Sequence, residues 1–320
     1  MSFVGGGSDM SVYYQTDDGA VLSSTINKYI FVTVNRKFDS GIRLSYSKTE
    51  EVANAASVEH RLVRAALNRL DIDGGVEITT IADIPSSGTG LGSSSSFTIG
   101  LLNALNAFVG KHVGREYLAA ESCDIEIKVC GEPIGKQDQY AAAYGGFNLI
   151  EFARDETVRV SPVIIPPVTL DRFEANLLVF YTGKTRSASG LLSTQREAVA
   201  NTSAKRSALR RMVELAHIAK AELEMGNIDA FGEALHENWV LKKSLTDGIS
   251  SDNIDRWYDI GIAAGATGGK ILGAGAGGFL LFYASPDRHD AIAHRLPELR
   301  RIPMEFERNG SQIIFYNPSK

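Results

Sequence analysis

The spacing of apolar residues divides the N-terminal part of the chain into strands and helices. Residues 21–38 and 42–46 are rich in β-branched and aromatic side chains, and this composition predicts antiparallel strands. Residues 58–70 carry apolar side chains at helical spacing and are predicted to form a helix. The alternation of apolar and polar positions over residues 75–82 predicts a further strand.

A loop rich in glycine and serine separates this strand from the next group of elements. Apolar runs predict helices over residues 97–109 and 115–129. A turn-rich loop over residues 131–138 leads into a short helix over residues 139–144. The chain is then predicted to return as a strand over residues 146–152.

The second part of the chain begins beyond a proline-rich stretch. Residues 161–168 hold three of the nine prolines, and we predict one domain over residues 1–165 and another over residues 166–320. The later elements are predicted as strands over residues 175–181, 279–283 and 313–316, and helices over residues 187–245, 252–264 and 286–296. Because strands and helices mix without regular alternation, the predicted fold class is α+β.

Composition and charge exclude several classes of partner. The chain has 320 residues, of which 44% are hydrophobic and 22% charged, as in an ordinary globular protein. Its formal net charge is -5, so no overall positive field exists to hold nucleic acid or anionic lipid. The apolar stretches are far shorter than the roughly 20 residues needed to cross a bilayer. We therefore expect no nucleic acid and no membrane as a partner.

The cysteines and histidines carry little chemistry of their own. The two cysteines, Cys123 and Cys130, argue against a disulfide scaffold. We expect buried thiols in a reducing compartment, with a redox pair as the alternative. No charged segment followed by an apolar run opens the chain, so we expect no signal peptide and predict a cytoplasmic location. The six histidines lack ligand-type spacing, which argues against a metal hydrolase.

The glycine–serine loop has the composition of a phosphate-binding loop. Glycines let the backbone adopt conformations closed to other residues, so several N–H groups can converge on one point. The serines add hydroxyl groups, and the helix that follows presents its positive N-terminal end to an anion. These features predict a site for the triphosphate of ATP. The candidate residues are Pro85, Ser87, Gly88, Thr89, Gly90, Leu91, Gly92, Ser93, Ser94 and Ser95.

Two other interpretations of this loop are weaker. A flexible linker has a similar composition, but a linker rarely opens directly into a long apolar helix. A Walker A loop needs a lysine directly after its last glycine. Here Ser93 follows Gly92, so the Walker A interpretation fails.

A second glycine cluster occupies residues 272–279. It matches the dinucleotide pattern GxGxxG, but that pattern must open a helix, and here it runs into an apolar strand. We therefore predict close backbone packing against a ligand or another loop, with a plain tight turn as the alternative. The glycines of this C-terminal motif are Gly273, Gly275, Gly277 and Gly278.

Two carboxylates are candidates for contact with a substrate. Asp138 stands between two glutamines where a loop becomes a helix. A kinase needs a group there to orient and deprotonate the attacking hydroxyl, and a simple helix N-cap is the alternative. Near the start, three glycines can bring a carboxylate close to a ligand, where it can accept hydrogen bonds from two sugar hydroxyls. The substrate candidates in this loop are Gly6, Gly7, Ser8 and Asp9.

In this order, the four clusters resemble those of the GHMP kinase superfamily, which includes galactokinase, homoserine kinase and mevalonate kinase. The similarity spans residues 5–279. It implies an N-terminal domain like domain 2 of ribosomal protein S5 and a C-terminal ferredoxin-like α+β domain, with ATP and substrate between them. It also implies ATP and Mg²⁺ as cofactors, and a small-molecule sugar or sugar phosphate as the partner.

The resemblance implies roles for individual residues. In the family, a Gly-Leu-Gly-x-Ser loop wraps the phosphates, and its second serine, here Ser94, helps to hold Mg²⁺. The glutamate that binds the metal in the family corresponds to Glu126, for which a solvated charge on a helix is the alternative. One serine and one glutamate leave room for the waters and phosphates that Mg²⁺ prefers. The catalytic aspartate of the family corresponds to Asp138.

Within the superfamily, residues 5–9, 136–148 and 273–279 look most similar to the D-glycero-D-manno-heptose 7-phosphate kinases. Those enzymes phosphorylate the anomeric hydroxyl, giving a 1,7-bisphosphate for GDP-heptose and surface-glycan synthesis. A phosphorylated substrate needs cations, for which Lys184 and Arg186 are candidates, with ordinary surface charge as the alternative. Relatives also carry a basic residue just ahead of the position of Ser2, and Lys136 or Lys28 is the candidate to replace it.

Two alternatives stay open. One is another GHMP sugar kinase, such as a galactokinase, a fucose kinase or a heptose kinase of the 1-phosphate type. The other is a sugar or nucleotide sensor on the same fold without catalysis. Such a sensor would lose the catalytic aspartate or the metal ligands, so the presence of Asp138, Ser94 and Glu126 argues for an enzyme.

Overall fold

The computed structural model describes residues 1–84, 90–184 and 188–317. Within these ranges, three four-stranded sheets pack with helices, which confirms the predicted α+β class. The strands are β1 (Ser2–Val4), β2 (Gly19–Ser24), β3 (Ile30–Arg36), β4 (Ile42–Ser45), β5 (Thr49–Val52), β6 (Val76–Ala82), β7 (Phe147–Phe152), β8 (Val158–Pro162), β9 (Leu177–Tyr181), β10 (Gly268–Ile271), β11 (Phe279–Tyr283) and β12 (Arg300–Arg301). The helices are α1 (Ser11–Tyr14), α2 (Arg61–Arg69), α3 (Ser93–Phe108), α4 (Arg115–Cys123), α5 (Gln137–Tyr144), α6 (Pro167–Ala175), α7 (Ala188–Asn201), α8 (Ser203–Glu224), α9 (Ala230–Leu245), α10 (Asp252–Ala263) and α11 (Pro286–Arg295). A 3₁₀ turn, Ala55–Ser57, precedes α2, and a π-helical turn, Asp124–Val129, follows α4.

The strands β1 to β8 form two of the sheets, and β9 to β12 form the third. The first has the strand order β1-β2-β7-β8 and is antiparallel. The second has the order β3-β6-β4-β5, with β4 parallel to β6. The third, β10-β11-β9-β12, is antiparallel and uses only strands that follow α6. The boundary between residues 165 and 166 stays a prediction, although the chain passes from the first two sheets to the third across it.

Two strand predictions need correction. Residues 21–38 do not form one antiparallel unit with residues 42–46, because β2 lies in the first sheet while β3 and β4 lie in the second, on either side of β6. The strand predicted over residues 313–316 is wrong, since this segment forms no strand. Its apolar side chains favour β-structure, but Ile314 and Phe315 are exposed, and the outer edge of β9 is taken by β12 instead.

The predicted helices are confirmed with shifts at their ends, except that residues 187–245 divide into the three helices α7, α8 and α9. The largest shift is in α3, which begins at Ser93 rather than at residue 97. The serines of its first turn have modest helix propensity, yet Gly92 adopts a left-handed conformation (φ +71°) that turns the loop into the helix. The helix predicted over residues 115–129 is α4 followed by the π-helical turn.

An aromatic cluster joins the two parts of the chain. Phe3 of β1 contacts Phe231 of α9 edge to face, with the ring centroids 5.4 Å apart. Phe173 of α6 contacts the same ring at 4.7 Å. Such pairs contribute about 0.5–1.5 kcal/mol each beyond the burial of their surface. The first strand of the chain is therefore held from both sides, which fixes the loop that follows it.

The C-terminal segment returns to the first part of the chain. Phe306 forms an isolated bridge with Ile26, and the N–H of Ser311 donates to the carbonyl of Ala142 over 3.0 Å. Both cysteines are buried and free, which confirms the expected buried thiols. Within the described ranges, no helix combines the length and the apolar character that a bilayer crossing requires.

Candidate active site

The glycine–serine loop ends in the N-terminus of a buried helix. Gly90 and Gly92 have left-handed φ angles of +75° and +71°, and α3 starts directly after them. The N-terminal end of a helix carries a partial positive charge, so the start of α3 is suited to an anion. Leu91 is buried in the aromatic cluster beside Leu272, which anchors the loop. The predicted ligands Pro85, Ser87, Gly88 and Thr89 lie outside the described residues.

The two glycine clusters pack against each other, as the sequence predicts. A Cβ atom on Gly90 would lie 2.3 Å from the carbonyl oxygen of Leu272, and one on Gly273 would lie 2.3 Å from the Cα of Gly90. The motif continues into β11, so it is no dinucleotide-binding turn. Gly275 lies equally close to the backbone of Ile249.

The end of this motif is tied to the segment after β9. A Cβ on Gly277 would lie 2.8 Å from the carbonyl oxygen of Lys184. The N–H of Gly278 donates to the same oxygen over 2.8 Å, and the N–H of Thr182 donates to the carbonyl of Gly278 over 2.9 Å. The loops therefore form one backbone unit with little space for side chains.

Replacing Gly273 with alanine should separate the two loops. Gly110 offers a matched control, because its φ of +76° is nearly the same as the +78° of Gly273 but nothing lies within 4 Å of its Cβ position. Gly110→Ala should cost about 1–2 kcal/mol of unfolding free energy from left-handed strain alone. Gly273→Ala should cost clearly more and also weaken ATP binding by about tenfold or more, which corresponds to roughly 1.4 kcal/mol. Urea unfolding and ATP titration measure both effects, and equal behaviour of the two variants would contradict the packing argument.

Asp138 faces the start of α3. A Cβ atom on Gly92 would lie 3.1 Å from its Cγ and 3.3 Å from its Oδ1, so the carboxylate lies against the left-handed glycine. The N-cap alternative is excluded, because α5 begins at Gln137 and its N-cap position is Lys136. The predicted catalytic aspartate and the predicted phosphate loop are thus brought together, with the carboxylate half-buried between them.

The surroundings of Asp138 make it a weaker acid than usual. Burial raises the pKa of Asp138, the amine of Met1 and the ammonium of Lys270 oppose this rise, and the negative charge of Asp9 adds to it. A base must lose its proton easily near the working pH and still accept one from a hydroxyl, so an upward shift suits this role.

Glu126 is a buried carboxylate on the other side of the same helix start. It lies in the π-helical turn, and its Oε2 accepts hydrogen bonds from the Ser95 hydroxyl (2.9 Å) and the Gln139 amide (2.6 Å). Its Oε1 is buried and has no hydrogen-bond partner among the described residues. Burial raises the pKa of Glu126, while the polar groups of Thr98, Ser95 and Gln139 oppose the rise. The alternative of a solvated surface charge is excluded.

The serine that contacts Glu126 is Ser95, and Ser94 as a ligand of Mg²⁺ stays a prediction. Ser94 is exposed on the first turn of α3, and Ser95 faces Glu126. Successive residues of a helix point about 100° apart, so one helical position decides which hydroxyl meets the carboxylate. A buried, unpartnered carboxylate oxygen beside a helix start is a fitting ligand for Mg²⁺. Glu126 as a metal ligand stays a prediction, and the described residues contain no cluster of three or more acidic, histidine or cysteine side chains suited to a metal.

The loop over residues 5–9 is held by its own polar groups, and the substrate-binding role of Ser8 stays a prediction. The Ser8 hydroxyl donates to the carbonyl of Gly5 over 2.8 Å and accepts from the N–H of Ala20 over 3.1 Å, so this side chain shapes the loop. Asp9 is 2% exposed. Its two oxygens accept the N–H groups of Gly7 (2.8 Å) and Gln137 (3.2 Å) rather than lying open to two sugar hydroxyls. Burial raises the pKa of Asp9, and the hydrogen bonds from Gly7 and Gln137 and the charge of Lys242 oppose the rise.

The predicted substrate cations lie outside this arrangement. The ammonium of Lys136 pairs with Glu156 and stands 4.6 Å from the centroid of the Tyr14 ring, which corrects its assignment to the substrate. Lys184 is exposed near the Trp257 ring, at 5.8 Å, and serves the glycine motif through its carbonyl. Arg186 lies outside the described residues.

Two family models match the chain. The model of the GHMP kinases N terminal domain matches residues 41–146, and the GHMP kinases C terminal model matches residues 212–300. The chain belongs to the GHMP kinase family. The resemblance implied by the glycine motifs is thereby confirmed, and the chain is an ATP-dependent sugar kinase. The loop at the start of α3 stays the predicted ATP site.

Relatives of this GHMP kinase include sugar kinases. The D-glycero-alpha-D-manno-heptose 7-phosphate kinase of Campylobacter jejuni subsp. jejuni is 30% identical over 309 residues, which cover 90% of this chain and 88% of that protein. A solved D-glycero-D-manno-heptose 1-phosphate kinase from Bacteroides thetaiotaomicron has a TM-score of 0.79 and 27% identity, covering 97% of this chain and 94% of that one. A putative sugar kinase from Campylobacter jejuni has a TM-score of 0.77 with the same identity and coverage.

The structure of this GHMP kinase adds two buried lysines that the sequence analysis missed. Lys270 of β10 donates to the carbonyl of Ser2 over 2.9 Å, and burial lowers its pKa to about 7. Lys242 of α9 donates to the carbonyl of Gly6 over 3.1 Å, and burial lowers its pKa to about 8. A sequence signal exists for Lys242, because it lies at helical spacing from Leu235 and Trp239 within a buried stripe.

Proposed function

We propose that the chain transfers the γ-phosphoryl group of ATP to the anomeric hydroxyl of D-glycero-D-manno-heptose 7-phosphate, which yields the 1,7-bisphosphate. The observation that carries this proposal is the contact between the Asp138 carboxylate and Gly92 at the start of α3. A carboxylate beside the predicted phosphate loop supports the role of a base for Asp138. The similarity to the Campylobacter heptose 7-phosphate kinase supports the choice of substrate.

In the proposed mechanism, the N–H groups at the start of α3 bind the phosphates of ATP. They oppose the negative charge that spreads over the transferring group. Glu126 and a serine of the first turn would hold Mg²⁺, which would supply positive charge to the phosphates of ATP. Asp138 orients the sugar hydroxyl for in-line attack and accepts its proton as the bond to phosphorus forms. Most of the rate gain then comes from positioning and charge stabilisation.

Charge around the reacting hydroxyl also supports this proposal. Lys270 and Asp138 interact electrostatically, and the lysine favours the ionised form of the aspartate. The ionised form is the one that can accept a proton. Two buried lysines from the second part of the chain, Lys242 and Lys270, thus supply positive charge near Asp9 and Asp138.

A coupled ADP-release assay tests the proposed substrate. The purified protein is given ATP, Mg²⁺ and, in separate reactions, heptose 7-phosphate, heptose 1-phosphate, free heptose, fucose or galactose. We expect the highest kcat/KM with heptose 7-phosphate and a product that carries its new phosphate on C1. Faster turnover of heptose 1-phosphate, fucose or galactose would assign a different GHMP kinase activity. Sugar binding without ADP release from any sugar would favour the non-catalytic sensor.

A further inference from the structure

Three buried polar side chains from the second part of the chain hold the backbone of β1 and of the loop over residues 5–9, which we call the substrate loop. Asn238 of α9 accepts a hydrogen bond from the N–H of Gly5 over 3.0 Å. Lys242, one turn further along the helix, donates to the carbonyl of Gly6 over 3.1 Å. Lys270 donates to the carbonyls of Ser2 (2.9 Å) and Phe3 (3.0 Å). The path of β1 and of the loop after it is therefore set by α9 and β10.

Lys242 is the member of this group that contacts Gly6. It is 6% exposed, and its ammonium also donates to the side-chain oxygen of Gln195 over 3.1 Å. A Cβ atom on Gly7 would lie 3.2 Å from this ammonium and 2.7 Å from the Gln195 amide nitrogen. Because a buried ammonium is costly unless it is hydrogen-bonded, its retention here calls for an explanation beyond packing.

A continuous chain of contacts leads from Lys242 to the reacting base. Lys242 binds the carbonyl of Gly6, and the next N–H, that of Gly7, donates to Oδ1 of Asp9 over 2.8 Å. The other oxygen of Asp9 accepts the N–H of Gln137 over 3.2 Å. Gln137 is the first residue of α5, and Asp138 follows it directly.

We propose that Lys242 is a positioning residue for phosphoryl transfer, which acts through Gly6 and Asp9 to hold the start of α5 so that Asp138 faces Gly92. This inference rests on the proposed function, because it assigns to Asp138 the role of base. Lys242 itself touches the loop and not the reacting atoms. Among the described residues, the hydrogen bonds of its ammonium go to the carbonyl of Gly6 and to the side chain of Gln195.

Electrostatics supports the same assignment. Two charged groups face Lys242 from neighbouring elements: Asp9 of the substrate loop, which attracts it, and Lys270 of β10, which repels it. Without Lys242, the buried carboxylate of Asp9 would lose a nearby cation, so its protonated form would be favoured. A protonated Asp9 accepts the two backbone N–H groups less strongly, and the start of α5 would loosen.

Lys242→Met tests this role, with Lys243→Met as the matched control. Lys243 is the next residue of the same helix, but its ammonium pairs with Asp255 at 2.8 Å, away from the loop. We expect Lys242→Met to lower kcat by at least tenfold and to raise KM for the sugar, while KM for ATP changes less than twofold. Lys243→Met should leave all three within twofold of the unsubstituted protein.

A second readout does not depend on activity. Amide hydrogen exchange should become at least fivefold faster over residues 5–9 and at the start of α5 in Lys242→Met, and stay unchanged in Lys243→Met. Equal exchange and equal kcat in the two variants would overturn the proposal. If the unsubstituted protein phosphorylates no sugar, the proposed function fails, and the exchange measurement still decides the positioning role.

A milder variant covers the case in which Lys242→Met does not fold. Gln195→Leu removes the other acceptor of the Lys242 ammonium and leaves the charge in place. We expect it to raise sugar KM by about two- to fivefold with a smaller loss in kcat. A Gln195→Leu variant with unchanged sugar KM and unchanged exchange would count against the proposal.

Discussion

Replacing Asp138 with asparagine lowers turnover by about 10²–10⁴-fold, the usual contribution of a positioned general base, and leaves ATP binding unchanged. Asparagine keeps the size of the side chain but cannot accept the proton of the attacking hydroxyl. The contact with Gly92 is preserved, so the backbone that binds the phosphates keeps its shape. The rate of ADP release gives kcat, and titration with ATP gives the dissociation constant.

Asp155→Asn is a suitable control for this experiment. Asp155 is an exposed carboxylate whose oxygen accepts hydrogen bonds from the neighbouring Thr157. Its replacement should leave kcat within twofold. Near-normal turnover of Asp138→Asn would remove Asp138 from the role of base, whereas a parallel loss of ATP affinity would show that the loop had shifted.

The pH dependence follows from the direction of the shift at Asp138. Because its pKa is raised in the folded protein, the carboxylate ionises at a higher pH than an ordinary aspartate. The pKa of an unperturbed aspartate is close to 4. The acidic limb of kcat/KM should therefore lie clearly above pH 4. An acidic limb at or below that value would contradict the burial of this group.

Glu126→Gln should abolish most turnover and at the same time make the protein more resistant to heat. The loss of activity is expected because a neutral amide is a poor ligand for Mg²⁺, and we expect kcat to fall by about 10²-fold or more, as when a charge-stabilising group is removed. Raising the Mg²⁺ concentration should restore part of it. The gain in stability follows from the removal of a buried charge with one unpartnered oxygen.

The sign of the stability effect can be worked out from linkage. Burial raises the pKa of Glu126 in the folded state, so the folded protein binds this proton more tightly than the unfolded chain does. The contribution of this group to stability is therefore greatest in acid and declines as the pH rises through the folded pKa. At neutral pH the variant should unfold about 2–4 °C higher, the shift that roughly 1 kcal/mol produces in a domain of this size.

Glu116→Gln on the exposed face of α4 is the control for Glu126→Gln. It should change neither the unfolding temperature nor kcat. Calorimetry in the absence of ligand and the ADP-release assay measure the two effects separately. A Glu126→Gln variant that unfolds at a lower temperature than the unsubstituted protein would show that the hydrogen bonds from Ser95 and Gln139 outweigh the buried charge.

The helices and the local chemistry of this protein are readable from its sequence. Periodic apolar positions predict the helices because each helix needs only its own residues and one buried face. The glycine clusters are readable for a similar reason, since Gly90 and Gly273 must be glycine wherever two backbones approach so closely. Asp138, which stands at the start of a helix beside a predicted phosphate loop, was identified from that local context.

Several choices were made only by the tertiary structure. Which serine meets Glu126 depends on the rotation of α3 against the π-helical turn, and the sequence places Ser94 and Ser95 on equal terms. Residues 313–316 have the composition of a strand but pair with none of the described strands. Two lysines also have different environments in the folded chain: Lys136 pairs with Glu156, whereas Lys242 is buried under the substrate loop.

The physical reason for this division is the distance along the chain between the residues that interact. A turn, a helix and a left-handed glycine depend on interactions between residues a few positions apart, and these are written in the local sequence. The contacts of Lys242 with Gly6 and of Lys270 with Ser2 join residues separated by 236 and 268 positions. A charge becomes buried, and its pKa shifts, only when the folded chain removes water from it, so no local pattern specifies these two lysines.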